Sequence, residues 1–248
     1  MLNQKRLFKL LILVLVSLLH INVYSQISSK DSLFLKKAIY NTKQVYYHQI
    51  GDQAAKFNGS QYPGYTVSFS DGHPYFKVNA LTQGSILYDG VNFDKVQLMY
   101  DEVADCVVLQ DSIHRIQLVA EKLKSFSILD DRFERLEKAS INDPVIEGGF
   151  YQVLASGKVT LYKKETKQMI DKFTNSTELA VLFEIHEKYY LLKDNHFYRI
   201  NNKKTLYTLL DNKNRALIQY TKKASLSYRK DKDKMLTSVV DYYNSINQ

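Results

Sequence analysis

Residues 84–110 read GSILYDGVNFDKVQLMYDEVADCVVLQ, and how they are read decides the fold. Val96, Leu98 and Tyr100 fall on one side of an extended chain, and Lys95, Gln97 and Met99 fall on the other. A period of two is the mark of a half-buried β-strand. Residues 85–88 form the preceding arm, and Asp89-Gly90 joins the two. A tight two-residue hairpin needs positive φ, which these residues tolerate. The stretch also holds five carboxylates (Asp89, Asp94, Asp101, Glu102 and Asp105) and the chain's one cysteine, Cys106. A calcium loop needs ligands at close alternate positions, a glycine at its sharp bend and a terminal glutamate. That register is absent, and acids are common at β-turns because they bond their own backbone. They are therefore read as turn and edge residues. A glycosidase-type carboxylate pair that converges only in space stays open. Cys106, in CVVL, reads as a small hydrophobe on a buried strand, with no second cysteine to pair with.

Working outward, residues 106–109 and 113–118 continue the series, and 121–125 fits a helix equally well. Upstream, Val67 and Phe69 alternate with Ser68 and Ser70, Asp71-Gly72 turns the chain, and 75–78 reads as the next strand. Downstream, GFYQVLASGKVTLYKK (149–164) bends at Ser156-Gly157. VLFEIHEKYYLLKDNHFYRI (181–200) repeats the design with its bend at 193–195. Successive hairpins predict a mainly β fold, an antiparallel meander forming a curved sheet, a sandwich or an open barrel. With 19 Tyr and no Trp, the aromatic load suits a pleated surface that is apolar on the ring and wet at the hydroxyl.

Both ends change to helical spacing. Phe34, Leu35, Ala38, Ile39, Val45 and Tyr46 predict a helix over 30–47, with Ser28 and Asp31 at capping-box spacing. KFNGSQYPGY (56–65) then breaks the pattern. Near the C-terminus, Leu206, Leu209 and Leu210 predict one short helix and 214–222 another. Asp231 is placed to cap a last helix. Its stripe is Met235, Leu236, Val239, Val240, Tyr243 and Ile246, with Thr237, Asp241 and Asn244 opposite. The expected division is a leader over 1–25, a β-rich domain with its N-terminal helix over 26–202, and a basic helical segment over 203–248 packed on it.

The leader carries the address. Lys5, Arg6 and Lys9 precede an apolar run over 10–19, and Val23-Tyr24-Ser25 supplies a cleavage site, the grammar of a secretory signal peptide. That run is half the ~20 residues a spanning helix needs, so the mature chain is expected to be exported, periplasmic or extracellular, with no transmembrane span. Removing three basic residues leaves 31 against 26 acidic, a net +5. Residues 203–234 alone hold ten basic and three acidic residues, so the basicity is local. An exported chain rarely meets nucleic acid, which leaves a solvated face or contact with an anionic surface as the readings of this segment.

No catalytic, cofactor or metal motif assembles. His48, His73, His114, His186 and His196 lack zinc spacing, SGKVT around Lys158 lacks the phosphate-loop frame, and there is no G-x-S-x-G elbow. Asn58-Gly-Ser and Asn175-Ser-Thr match the N-glycosylation pattern, and Asp31-Ser-Leu and Asp111-Ser-Ile the Asp-Ser/Thr-aliphatic pattern of bacterial O-glycosylation.

FNGSQY (57–62), GHPYF (72–76), GSILYDGVNFDKVQLMYD (84–101), GFYQVL (149–154) and the closing VVDYYNSI (239–246) resemble an uncharacterised family of exported proteins of Bacteroidetes. The resemblance implies an envelope location and a β-rich body, and it implies no activity. The leading expectation is a non-enzymatic binding or structural module for a protein or glycan partner, with His73, Tyr75, Tyr88 and Tyr100 as candidate surface residues. Each of these tyrosines singly suits the core better. The alternatives are an enzyme acting on envelope polysaccharide through paired carboxylates, and a carrier of a small hydrophobic ligand.

Overall fold

The structure, a computed structural model, describes residues 29–50, 59–111, 114–138, 146–175, 178–210 and 215–247. The leader and its cleavage site, Ser28 of the capping box and Ser112 of the second Asp-Ser site lie outside them. The chain forms two units, divided after Thr42. The first unit's described part belongs to helix α1, Ser29–Ile50, which covers and slightly exceeds the expected 30–47. Phe34, Leu35 and Ile39 of its apolar stripe are exposed.

The second unit is an open antiparallel sheet of eleven strands among the described residues. They are β1 Gly59–Gln61, β2 Thr82–Tyr88, β3 Val91–Asp101, β4 Cys106–Asp111, β5 His114–Leu118, β6 Leu123–Ile128, β7 Asp131–Leu136, β8 Gly149–Ala155, β9 Thr160–Asn175, β10 Glu178–Lys193 and β11 His196–Ile200. Their order is β1-β5-β4-β3-β2-β6-β7-β8-β9-β10-β11. The meander is interrupted twice, where β1 joins the far edge and where β6 crosses back to pair with β2.

Turn chemistry sets the hairpins. Asp89 and Gly90 take φ of +49° and +75°, and Tyr88 pairs with Val91, the tight turn that the Asp-Gly pair predicts. Asp194 and Asn195 do the same between β10 and β11, with φ of +50° and +62°. The β6–β7 turn at Leu129-Asp130 has Leu129 at +54°, a position with no glycine or asparagine to announce it.

The sheet curls on its β1–β6 side. Four strand spacings of about 4.8 Å separate β5 from β6 in the order, about 19 Å if the sheet were flat. The connection, Val119 and the 3₁₀ turn Ala120–Lys122, reaches at most about 18 Å even fully extended. The sheet therefore wraps, and its concave side closes on one core. Ile86, Tyr88, Val96, Leu98, Tyr100, Val107, Leu109, Leu118, Leu123 and Phe126 are all buried there. Tyr100 lies 5.3 Å from the Phe126 ring and 5.2 Å from Phe133, which stack on each other at 4.6 Å. Ring contacts of this kind add about 1 kcal/mol each beyond burial. Gly84 is required at the β2–β6 contact, since a Cβ there would sit on the Ser127 carbonyl. Met99, Cys106 and Val108 face the other way and pack with Tyr62 and Tyr75, so the expected alternation along β3 holds.

Two of the expected strands differ. Residues 65–70 and 75–78 make only isolated bridges, Phe69 with Val181 and Tyr75 with Asp101. The segment passes β10 and then β3 without staying beside either, so no ladder forms. Residues 121–125 are a 3₁₀ turn followed by strand.

Helices α2 Lys203–Leu209, α3 Arg215–Lys223 and α4 Lys232–Ile246 follow β11. Leu206, Leu210, Leu217, Met235, Leu236, Val239 and Val240 pack on Ala155, Val159, Leu161, Tyr189, Leu191 and Ile200 of the β8–β11 side. Asp231 caps α4 by accepting from the Lys234 N–H at 2.9 Å. Asn244 departs from the expected polar side. It is buried, accepts from the Val159 N–H at 3.0 Å and donates to the Val159 carbonyl at 3.0 Å. Four residues after Val240, it shares that residue's face, and the β8–β9 bend supplies it with a backbone partner.

Candidate functional site

The β3–β4 turn, where three of the five acids lie, is a structural knot. Asp101 is fully buried and accepts from the Tyr62 hydroxyl at 2.6 Å, the Tyr65 hydroxyl at 2.8 Å and the Val103 and Ala104 N–H groups at 2.9 Å. Asp105 takes the Tyr100 hydroxyl at 2.6 Å and the Lys164 ammonium at 2.7 Å. Burial, then the neighbouring acid, raises the Tyr62, Tyr65 and Tyr100 phenols far above their ordinary range. They stay donors at any physiological pH. Asp89 and Asp94 lie apart, on a turn and an exposed strand position.

Glu102 is the unusual member. It is 1 % exposed, and the Lys167 ammonium stands 3.0 Å from its Oε2. Lys167 directs its N–H groups at the carbonyls of His73, 3.1 Å, and Tyr75, 2.6 Å, so neither Glu102 oxygen receives a well-directed hydrogen bond. Burial, with the charge of Glu165 second, pushes the Glu102 carboxyl up to about 7 against the pull of Lys167.

A second knot centres on Lys163, whose side chain is 7 % exposed. Its ammonium holds Glu165 at 2.8 Å, Glu187 at 2.6 Å and Asp233 of α4 at 2.9 Å, and Asp233 also takes the Tyr189 hydroxyl. Burial depresses Lys163, but its carboxylates outweigh it and leave the ammonium above its usual value. Burial raises Glu187, but Lys163 and then Lys232 overcome it and hold the carboxyl low. Glu165 and Glu187 thus lie within about 5.5 Å of each other, a glycosidase-like separation. A general acid must keep its proton near neutrality, whereas the shared lysine holds the Glu187 carboxyl low.

What the molecule offers to solvent lies beside these knots. β9 and β10 pair over their whole length as a two-stranded arm, and β8 and β11 flank only its base. A depression of about 560 Å³ runs between this arm and the 71–77 loop, lined by Gly72, His73, Lys167, Ile170, Phe183 and Ile185 among others. Ile185 is 55 % exposed, and Met169 and Ile170 are also exposed. Gly72 takes φ of +77°, and a Cβ there would press on the Phe183 ring, so glycine lets the loop lie against the arm. Phe69 packs edge-on to Phe183 at 4.9 Å and anchors the same loop.

His73 is the one candidate surface residue that reaches this groove, half-buried on its wall and with no hydrogen-bond partner for Nδ1. Burial and the charge of Lys167 lower its pKa. Tyr75, Tyr88 and Tyr100 are buried and fill the core, the role each suited singly. Residues 181–200 read as a hairpin arm in the sequence, but nothing in it marks Ile170, Phe183 and Ile185 as a groove, because the groove exists only where the distant 71–77 loop lies beside the arm. Among the described residues no group of three His, Cys, Asp or Glu side chains is arranged to hold a metal ion, and no helix is long and apolar enough to cross a membrane. Cys106 is buried, and burial pushes its thiol up to about 12. Comparison with known proteins finds no family model, no curated sequence and no solved structure that matches this chain.

Proposed function

We propose that the chain is an exported, non-enzymatic binding module of the cell envelope, and that it recognises a protein or glycan partner in the groove beside β10. The observation that carries this reading is the neighbouring pair Phe183 and Ile185 on one face of β10, in a depression open to solvent that Ile170 and Leu182 also line. Contiguous exposed apolar surface marks interaction sites. An enzyme reading has less support. Among the described residues two acids have a raised pKa: Glu102 is sealed away, and Asp241, raised by burial alone, stands on α4 away from any second acid of the knots. The closely spaced pair, Glu165 and Glu187, is bridged by a lysine. The test is capture from envelope extract by immobilised wild-type chain and by Ile185→Glu. A partner retained by the first and lost by the second supports the groove. The same set on both, or turnover of envelope polysaccharide by the purified protein, overturns the reading.

A second contact is favoured by a separate patch. Lys203, Lys204 and Lys222 surround Tyr207 and Ile218 in a depression of about 480 Å³, and the described residues between 203 and 230 include no acid. Lysines that have no ion pair among the described residues, set around an apolar centre, suit an anionic lipid surface. Salt-sensitive co-sedimentation with phosphatidylglycerol vesicles, lost in the triple Lys→Gln variant, is the expected result. Equal sedimentation of the variant removes this contact.

A further inference from the structure

The groove borders a stretch of β10 whose backbone has no partner. Two independent contacts fix which groups face that edge. The Val181 carbonyl accepts from Ser70 N–H at 3.1 Å on the side away from β9, so odd-numbered residues of β10 point their N–H and C=O outward. On the other strand, Lys167 N–H points away from β10 to the Glu102 carbonyl at 3.2 Å, and Lys167 lies opposite Ile185. In an antiparallel pair such residues face away from each other, which again turns Ile185 outward. β11 begins to cover β10 only at Tyr189, opposite Ile200. Between Val181 and Tyr189, the outward N–H and C=O groups of Phe183, Ile185 and Glu187 have no hydrogen-bond partner among the described residues.

This gap is bounded at both ends, by Phe69–Ser70 and by the end of β11, and spans about 26 Å of strand. Two depressions meet along it and share Ile185: the apolar one described above, and one of about 540 Å³ lined by Glu187, Lys188, Arg199 and Lys232. The bounded length argues against a second copy of the chain, whose own loop and β11 would have to enter the same gap. It fits a single extended segment of six to eight residues. Charge gives the segment a polarity, with apolar side chains against Phe183 and Ile185 and an acidic residue near Arg199, which has no ion pair among the described residues, whereas Lys188 and Lys232 already hold Glu147 and Glu187.

We propose that β10 takes an extended segment of a partner polypeptide as an added strand, hydrogen-bonded to Phe183, Ile185 and Glu187, with an acidic residue at the Arg199 end. The proposal rests on the groove reading and specifies its partner and its bonding.

Ile185→Pro separates the two. Its N–H faces the open edge, so proline removes one donor for the added strand and no bond of the β9–β10 ladder. A random twelve-residue peptide library is selected on the full-length chain and counter-selected on the Ile185→Pro variant. Circular dichroism and the melting midpoint report the variant's fold, and amide exchange on the wild-type chain supplies a reading independent of any variant. The expected result is a set of alternating apolar peptides ending in an acid. Their binding falls at least tenfold in Ile185→Pro and when alternate peptide nitrogens are methylated, and they slow exchange at Phe183, Ile185 and Glu187 at least tenfold. No enrichment, or peptides that leave those three amides unchanged, overturns the proposal. Protection of the same amides that grows with protein concentration and without peptide overturns it in favour of a second copy. If envelope capture is lost in Ile185→Glu but kept in Ile185→Pro, the groove stands and strand addition fails. If capture survives both, the groove itself fails.

Discussion

Replacing Glu102 by Gln makes a stability difference that depends on pH, and its size follows from the site. The carboxyl is pushed from an ordinary 4.5 to about 7 by burial and by Glu165, against Lys167. A carboxyl raised on folding makes the folded chain hold a proton that the unfolded chain releases, so stability falls as pH rises between the two values. A shift of about 2.5 units at 1.36 kcal/mol per unit gives about 3 kcal/mol. Below pH 4.5 both states of the wild-type carry the neutral acid, a near isostere of Gln, and the two proteins should be about equally stable. Above pH 7 the wild-type carries the full cost and the variant none, so Glu102→Gln should be the more stable by up to about 3 kcal/mol. His73 titrates with the opposite sign: its lowered pKa costs stability as pH falls below 6.5. It is common to both proteins and cancels in the difference. Urea unfolding of both across this range gives the difference directly. A flat difference, or a wild-type that gains on the variant as pH rises, would mean that the Lys167 pair outweighs burial and that the reasoning is wrong.

Three further outcomes are expected. Lys163→Met leaves Glu165, Glu187 and Asp233 without their shared cation. Glu187 keeps Lys232, and these carboxylates are a fifth to two-fifths exposed, so the loss should not exceed the low end for unpaired buried charge, about 3 kcal/mol by urea unfolding. Asn244→Ala leaves the Val159 N–H and C=O unpartnered under α4 and should cost about 2–3 kcal/mol, read as a lowered melting midpoint. Native Cys106 should not react with a thiol reagent at neutral pH and should react at once in urea. Reaction in the native state would contradict its burial and its thiol pKa of about 12.

Much of the fold was legible because its signals are local. Asp89-Gly90 needs positive φ and obtains it, Asp231 caps the helix it precedes, and Val96, Leu98 and Tyr100 sort to the core while Met99 sorts away from it. What sequence could not show depends on distant partners. The return of β6 to β2 is dictated by the short 120–122 turn acting on a curled sheet, and Gly84 is its only local trace. The 65–78 segment alternates like a strand yet lacks a neighbour long enough to make it one. Of the site, His73 was reached because its turn and proline draw attention to the loop. Lys163 and Lys167 look like solvent charges on a polar strand until Asp233 and Glu102 arrive from remote parts of the chain.

The claim on which the functional account turns is that β10 presents an unpaired edge between Val181 and Tyr189. Amide hydrogen exchange on the free protein measures it residue by residue. Exchange should alternate along β10, with Phe183, Ile185 and Glu187 fast while Leu182, Glu184 and His186, turned toward β9, are protected. Uniform protection across all six would place a partner on that edge already and would contradict the account.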